Sequence, residues 1–69
     1  MPENPKQVLK KLQKIGFVEI RRSGSHVILE NQNGKRTYIA IHTKDLPKGT
    51  FMAILKQAGI TLDEYRNIK

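Results

Sequence analysis

The residues best suited to chemistry in this 69-residue chain are its two histidines, His26 and His42. The sequence has no cysteine, which excludes a thiol nucleophile, a disulfide framework and a Cys-ligated zinc site. Two histidines without clustered carboxylates do not make a three-ligand metal site, so we expect no metal and no cofactor. The catalytic mechanism that needs the fewest functional groups is therefore general acid–base catalysis by an imidazole, a group that titrates near neutral pH.

RNA is a substrate for which one imidazole can suffice, because RNA carries its own nucleophile. A neutral imidazole can take the proton of the ribose 2′-hydroxyl, which then attacks the adjacent phosphorus and leaves a 2′,3′-cyclic phosphate and a 5′-hydroxyl. His26 is the better candidate base, since Gly24 and Ser25 before it allow close approach of a backbone and offer amide and hydroxyl donors. The alternative is that His26 is a surface residue of a strand without a functional role.

Length and charge restrict where such chemistry can occur. We expect one domain spanning residues 1–69, with one small core and no enclosed chamber, so a substrate must bind on an open face. With 13 Lys and Arg against 6 Asp and Glu, the net charge of +7 favours an anionic partner, either a nucleic acid or an acidic protein; the alternative is that the charge has no specific partner and serves solubility. No membrane span or signal peptide is evident, and a cytoplasmic protein is expected.

The hydrophobic pattern predicts an α+β fold with the element order α-β-β-β-α. A helix begins at Pro5 and ends at Gly16, and a second helix occupies 50–58. A capping box at Thr61 opens a short C-terminal helix that extends through Ile68. Between them, residues 17–42 alternate with a period of two, which indicates a three-stranded antiparallel sheet with the two main helices packed on one face.

Turn geometry then predicts which residues share a face. We expect a two-residue loop of Ser23 and Gly24, and a three-residue second loop with Gly34 in the left-handed conformation. These loops give one apolar face, made of Val18, Ile20, Val27, Leu29, Ile39 and Ile41. The opposite face carries Glu19, Arg21, His26, Ile28, Glu30, Arg36, Tyr38, Ala40 and His42.

In this register His26 lies directly opposite Arg21 on one side and Ala40 on the other, with Tyr38 and His42 diagonal to it. Arg21 would favour the neutral imidazole and face a phosphate. Tyr38 can stack on an unpaired base or pack across the strand on Ile28. For His42 a general acid, a substrate contact and a simple strand-end residue all stay open.

Two roles are also possible for the basic residues of the helices. Four lysines of the first helix lie opposite its apolar stripe, where they form either a solvated face or a stripe that follows phosphates. Lys44, Lys48 and Lys56 can likewise hold phosphates or serve solubility. The candidate RNA-contacting residues are Arg21, Gly24, Ser25, Arg36, Tyr38 and His42.

From Lys10 to Tyr65 the chain resembles the HicA-type mRNA interferase toxins of toxin–antitoxin pairs. The matching segments are 12–17, Gly24-Ser25-His26, Asn33-Gly34-Lys35-Arg36, Ile41-His42, Lys48-Gly49-Thr50 and 54–60. The resemblance implies a fold like the double-stranded-RNA-binding domain, metal-independent cleavage of mRNA and neutralisation by a HicB-type antitoxin. It places the catalytic histidine at His26. The family commonly has proline two residues before the third-strand histidine, where this chain has Ala40.

The sequence is therefore compatible with three functions. The protein is a ribonuclease toxin that uses His26, a non-catalytic RNA-binding module of the same fold, or an interaction protein whose positive surface binds an acidic antitoxin. We expect the free protein to be a monomer. We also expect an antitoxin to cover the face of His26 directly, because Arg21 and Arg36 would otherwise be left without partners in the interface.

Overall fold

The computed structural model describes residues 3–42 and 44–69, and the predicted element order is confirmed. The elements are α1 (Pro5–Lys14), β1 (Val18–Ser23), β2 (His26–Glu30), β3 (Arg36–Ala40), α2 (Lys48–Ala58) and α3 (Leu62–Arg66). The strands form one antiparallel sheet in the order β1-β2-β3. None of the helices in these two ranges is both long and apolar enough to cross a membrane.

The helix ends follow from capping residues that are visible in the sequence. The Asn4 side-chain oxygen accepts the backbone N–H groups of Lys6 at 2.9 Å and Gln7 at 3.2 Å, which satisfies two otherwise unpaired donors at the start of α1. Gly59 has φ +76° and ends α2, as expected for a glycine at this position. The predicted capping box of Thr61 and Glu64 is confirmed by both of its hydrogen bonds, at 2.8 and 3.1 Å.

Three helix boundaries differ from the prediction. α1 ends at Lys14, with Ile15 and not Gly16 as its C-cap. α2 begins at Lys48 and not at residue 50, directly after Pro47, whose φ of −56° already suits a helix entrance. Lys48 and Gly49 carry no apolar side chain, so the hydrophobic periodicity does not reveal the first helical turn. α3 ends at Arg66 and not at Ile68.

The hairpin of β2 and β3 has the predicted register. Leu29 pairs with Thr37 and Val27 with Ile39, and Gly34 has φ +79° in the loop. The Asn31 side-chain oxygen accepts the backbone N–H groups of residues 33 and 35 at 3.0 and 2.9 Å, which fixes the loop conformation. The prediction of a left-handed glycine in a three-residue loop is therefore confirmed.

The predicted register of β1 and β2 is wrong. Ser23 pairs with His26, so the two-residue loop is Gly24 and Ser25, shifted by one residue from the prediction. Gly24 has φ +59° and Ser25 does not have a positive φ, which is the pattern of a turn with glycine at its first central position. A bulge at Ile20 between Glu19 and Arg21 then changes the register a second time.

The core lies between the helices and one face of β2 and β3. Its sheet residues Val27, Leu29 and Ile39 are fully buried, but all six residues of β1 are exposed, including Val18 at 58% and Ile20 at 44%. The prediction that Val18 and Ile20 belong to the core is therefore wrong. Both main helices contact β3, at the far side of the sheet from β1. The remaining buried apolar residues are Val8, Leu12, Phe17, Ile41, Leu46, Phe51, Ile54, Leu55, Ala58 and Tyr65.

One polar side chain is fully buried in the helix-facing layer of the described residues. Thr37 of β3 donates its hydroxyl to the Gln57 side-chain oxygen of α2 at 2.7 Å. This hydrogen bond satisfies the buried hydroxyl and connects the sheet to α2.

Candidate nucleic-acid interface

The sheet face turned away from the helices is called here the polar sheet face. The observed register places on it the residues that alternate with the core positions of β2 and β3, together with their β1 neighbours. Most of these side chains are exposed, so none of the helices in the described ranges covers this face. They are Val18, Arg21, Ser23, His26, Ile28, Glu30, Arg36, Tyr38 and Ala40.

His26 is the first residue of β2 and lies between Ser23 on β1 and Ala40 on β3. The imidazole is exposed, and both neighbours are small, so a strand of RNA can reach it from the open side. The position of His26 follows from the turn before it, in which Gly24 and Ser25 reverse the chain directly ahead of the histidine. Beyond the end of β3, Ile41 donates its N–H to the Ser25 carbonyl at 2.8 Å and continues the pairing past His26.

Arg21 is on the polar sheet face, but it pairs with Ile28 and not with His26. It is therefore diagonal to the imidazole, at a distance that a long side chain spans, typically about 7–8 Å between diagonal neighbours. The residue directly opposite His26 is Ser23, which sequence reasoning missed. A glycine placed first in the turn was the signal for it, because that turn type makes Gly24 and not Ser23 the first loop residue.

The two arginines of the candidate site differ in their partners. Arg36 donates from Nη2 and Nε to one oxygen of Glu30, at 2.9 and 3.2 Å. The pKa of Arg36 is raised, first by this hydrogen bond to Glu30 and then by the Tyr38 oxygen. Within 3–42 and 44–69, Arg21 forms no ion pair with a carboxylate. Arg21 is thus the cation of this face whose charge is not offset by a neighbour.

Tyr38 presents an aromatic surface on the same face. Its side chain is 51% exposed and lies directly opposite Ile28, diagonal to His26 as predicted. A base stacked on this ring would lie beside the histidine, and base–aromatic stacking contributes about 1–3 kcal/mol. The register also keeps Ile28 as a cross-strand neighbour for the ring, so both predicted roles are compatible with the geometry.

His42 lies outside the strand. β3 ends at Ala40, and His42 is an exposed residue of the turn that follows. The prediction that His42 is the last residue of the third strand is therefore wrong. No group of three potential metal-ligating side chains occurs among the residues that the structure describes.

Two of the α1 lysines have partners within the fold. The Lys11 ammonium lies 4.5 Å above the ring of Tyr65, and Lys14 donates to the backbone carbonyl of Lys69. Both contacts attach α1 to the C-terminal segment. They favour a structural role for these two lysines over a role in following phosphates.

The comparisons with known proteins agree with this architecture. Residues 5–60 match a family described as the HicA toxin of bacterial toxin–antitoxin systems, and the match includes both hairpins and the whole polar sheet face. A comparison with curated proteins found no match. Because the family match extends over most of the sequence, the chain belongs to the HicA family of toxins from bacterial toxin–antitoxin systems.

Proposed function

We propose that this toxin is an endoribonuclease that cleaves mRNA on the polar sheet face, with His26 as the general base. The observation that supports the proposal best is the position of His26, which is exposed at the start of β2 between the small residues Ser23 and Ala40. An imidazole so placed is accessible to a flexible strand without any enclosed pocket. The protein needs to supply only a base and positive charge, because the substrate brings its hydroxyl nucleophile.

In the proposed reaction the His26 imidazole accepts the proton of a ribose 2′-hydroxyl. The 2′-oxygen bonds to the adjacent phosphorus, the bond from phosphorus to the 5′-oxygen breaks, and the leaving oxygen takes a proton from the imidazolium or from water. The products are a 2′,3′-cyclic phosphate and a free 5′-hydroxyl. Arg21, without a carboxylate partner in the described chain, faces the phosphate and stabilises its developing charge.

The other predicted contacts have supporting roles. Ser25 and the backbone of Gly24 offer donors to phosphate oxygens beside His26, and Tyr38 stacks on a neighbouring base. Arg36 contributes less, because Glu30 already binds its guanidinium. His42, as an exposed turn residue, contacts the strand outside the reacting position.

A second candidate function is a non-catalytic RNA-binding module. It is favoured by one observation: His26 is the only imidazole on the polar sheet face within the described residues, so no second histidine is fixed beside it. In this case the same basic and aromatic side chains bind RNA by phosphate contacts and stacking alone.

The two candidates are separated by cleavage of an unstructured, end-labelled RNA in buffer that contains a chelator. We expect the wild type to cut and His26→Ala to lose roughly 10²–10⁴-fold in rate while binding RNA equally. His42→Ala is the matched control and should keep most of the rate. Cleavage by His26→Ala at the wild-type rate would remove His26 from the role of base, whereas RNA binding without any cleavage by the wild type would establish the second candidate.

We also propose that the antitoxin is a HicB-type protein that covers the polar sheet face, and that the free toxin is a cytoplasmic monomer. An antitoxin there would supply acceptors to Arg21, which has no carboxylate partner in the described residues. Chemical modification of His26 by diethylpyrocarbonate should be suppressed in the complex. Equal modification in the free and bound toxin would contradict this arrangement, and sedimentation of the free toxin tests the monomer.

A further inference from the structure

The outer edge of β1 is one of the two unpaired edges of the sheet within the described residues. β1 pairs only with β2, and no other strand within 3–42 and 44–69 pairs with its far side. An edge strand presents a row of backbone N–H and C=O groups that can pair with a strand from another chain. All six β1 residues are exposed, so neither a helix nor a loop of the described chain covers the strand.

The same strand exposes apolar side chains that the fold does not use. Val18 is 58% exposed and Ile20 is 44% exposed. In the described residues only five large hydrophobic side chains are exposed, and Val18 and Ile20 are two of them. β3, at the opposite edge of the sheet, is likewise unpaired on its outer side within the described residues, but its aliphatic residue Ile39 is buried, so the exposed aliphatic side chains distinguish β1.

The charge of β1 indicates which partner fits this edge. Arg21 has no ion-pair partner in the described chain, and Arg22 adds a second exposed guanidinium, which pairs with Glu19 at 2.8 Å. A second copy of this chain would bring another net charge of +7 to the same edge, and the bulge at Ile20 further disfavours unspecific pairing. The bulge interrupts the edge for any partner strand, but an acidic chain avoids the charge repulsion.

We infer that β1 is the docking edge for the antitoxin, which adds an extended acidic segment as a fourth strand next to β1. Main-chain hydrogen bonds along β1 give affinity, and apolar side chains of the added strand cover Val18 and Ile20. A carboxylate of the segment faces Arg21. This inference concerns binding, and it holds whether or not His26 cleaves RNA.

If His26 is the catalytic base, the added strand also has a consequence for the reaction. Neighbouring strands are about 4.8 Å apart, so a fourth strand would lie about 10 Å from β2 and His26. At that distance the backbone of the strand does not block the imidazole, but its carboxylate would neutralise Arg21, the cation that faces the phosphate. Binding at β1 would therefore lower RNA affinity in addition to the cover that the rest of the antitoxin places over His26.

Hydrogen exchange of the backbone amides tests the site directly, with the free toxin, the toxin–antitoxin complex and the toxin saturated with unstructured RNA. We expect the amides of 18–23 to exchange about tenfold more slowly in the complex, and those of β3 to change much less. Unchanged exchange of the β1 amides in the complex would overturn the inference, and so would slowing by RNA but not by antitoxin. Slowing in the concentrated toxin alone would assign the edge to a second copy and would likewise overturn it.

Affinity measurements with a matched pair of variants give an independent test. Ile20→Glu places a negative charge at the β1 edge, and Met52→Glu places one at a similarly exposed apolar position on α2, where Met52 is 39% exposed. We expect Ile20→Glu to weaken antitoxin binding by roughly tenfold, because it removes the apolar contact and repels the acidic segment, and Met52→Glu to leave it within about twofold, with wild-type circular dichroism for both. Equal affinities of the two variants would contradict the β1 site. Since no RNA is present, this result is separate from the outcome of the cleavage assay.

Discussion

Arg36 and Glu30 face each other on β3 and β2, and the Arg36 Nη2 atom lies 2.9 Å from the Glu30 carboxylate. The pair crosses the polar sheet face, where sequence reasoning predicts a phosphate contact for Arg36. A guanidinium that already binds a carboxylate offers less charge to an incoming phosphate. The structure thus separates two arginines that are equivalent in the sequence, because Arg21 has no such partner in the described residues.

This difference predicts unequal effects on RNA binding. We expect Arg21→Ala to weaken RNA affinity more than Arg36→Ala does. We also expect it to reduce the slope of log affinity against log salt concentration by the amount that corresponds to about one phosphate contact. Glu30→Gln should release Arg36 and raise RNA affinity. Titrations of labelled single-stranded RNA at several salt concentrations measure all three effects, and equal salt slopes for the two alanine variants would contradict the assignment.

Ala40 determines how open the space beside His26 is, since the two residues are directly opposite on β3 and β2. Ala40→Leu should place a larger side chain about 5 Å from the histidine Cβ atom and hinder approach of the ribose. We expect slower cleavage with RNA affinity changed by less than about twofold. Ala40→Ser is the control of similar volume and should retain the wild-type rate; a slow serine variant would show that size is not the cause.

The hydrogen bond between Thr37 and Gln57 predicts an asymmetry in stability. Gln57→Ala leaves a buried hydroxyl without its acceptor and should lower the free energy of unfolding by about 1–3 kcal/mol. Thr37→Val removes the hydroxyl while keeping the shape of the side chain. Gln57→Ala should therefore lower the free energy of unfolding by less in the Thr37→Val variant than in the wild type. Urea unfolding of the two single variants and the double variant measures the coupling, and additive effects would show that the bond contributes little.

Tyr65 makes stability depend on alkaline pH. Burial raises the pKa of Tyr65 to about 12, and the Glu3 carboxylate adds to the effect. Because the pKa in the folded state exceeds the ordinary value of 10.0, the neutral hydroxyl contributes stability that is fully present below pH 10 and is lost as the pH rises towards 12. The contribution is on the order of 2 kcal/mol.

Tyr65→Phe isolates this contribution from the titration of the lysines. The buried hydroxyl has no hydrogen-bond partner of normal geometry in the described residues, so its removal should change stability at pH 7 by less than about 1 kcal/mol. The difference in unfolding free energy between wild type and variant should then shift in favour of the variant between pH 10 and 12. A difference that stays constant over this range would contradict the raised pKa.

The sequence predicts one half of the sheet well and the other half poorly, for a physical reason. In β2 and β3 the buried residues Val27, Leu29 and Ile39 alternate with exposed ones, so a one-residue slip would expose the core. In β1 the alternation of Val18 and Ile20 has no such consequence, since neither is buried. An alternating pattern whose apolar side chains stay exposed does not determine the register of a strand. No residue type near Ile20 indicates the bulge either.

The residues of the candidate site show the same difference between correctly and wrongly predicted parts of the sheet. The neighbours of His26 on β3, Ala40 opposite and Tyr38 diagonal, are predicted correctly because their register is determined by the core. Its neighbour on β1 is Ser23 and not Arg21, since that contact depends on the first turn. His42 was misplaced because β3 ends two residues earlier than the periodicity suggests.

A strand that buries none of its side chains is also free to vary. Substitutions at exposed positions away from special features typically change stability by less than about 0.5 kcal/mol, so most of β1 can mutate while the core of β2, β3 and the helices stays intact. Related toxins in one cell could therefore diverge along this strand, each matched to its own antitoxin. If the antitoxin docks at β1, the fold keeps the histidine in place on β2, while the sequence of β1 determines which antitoxin binds.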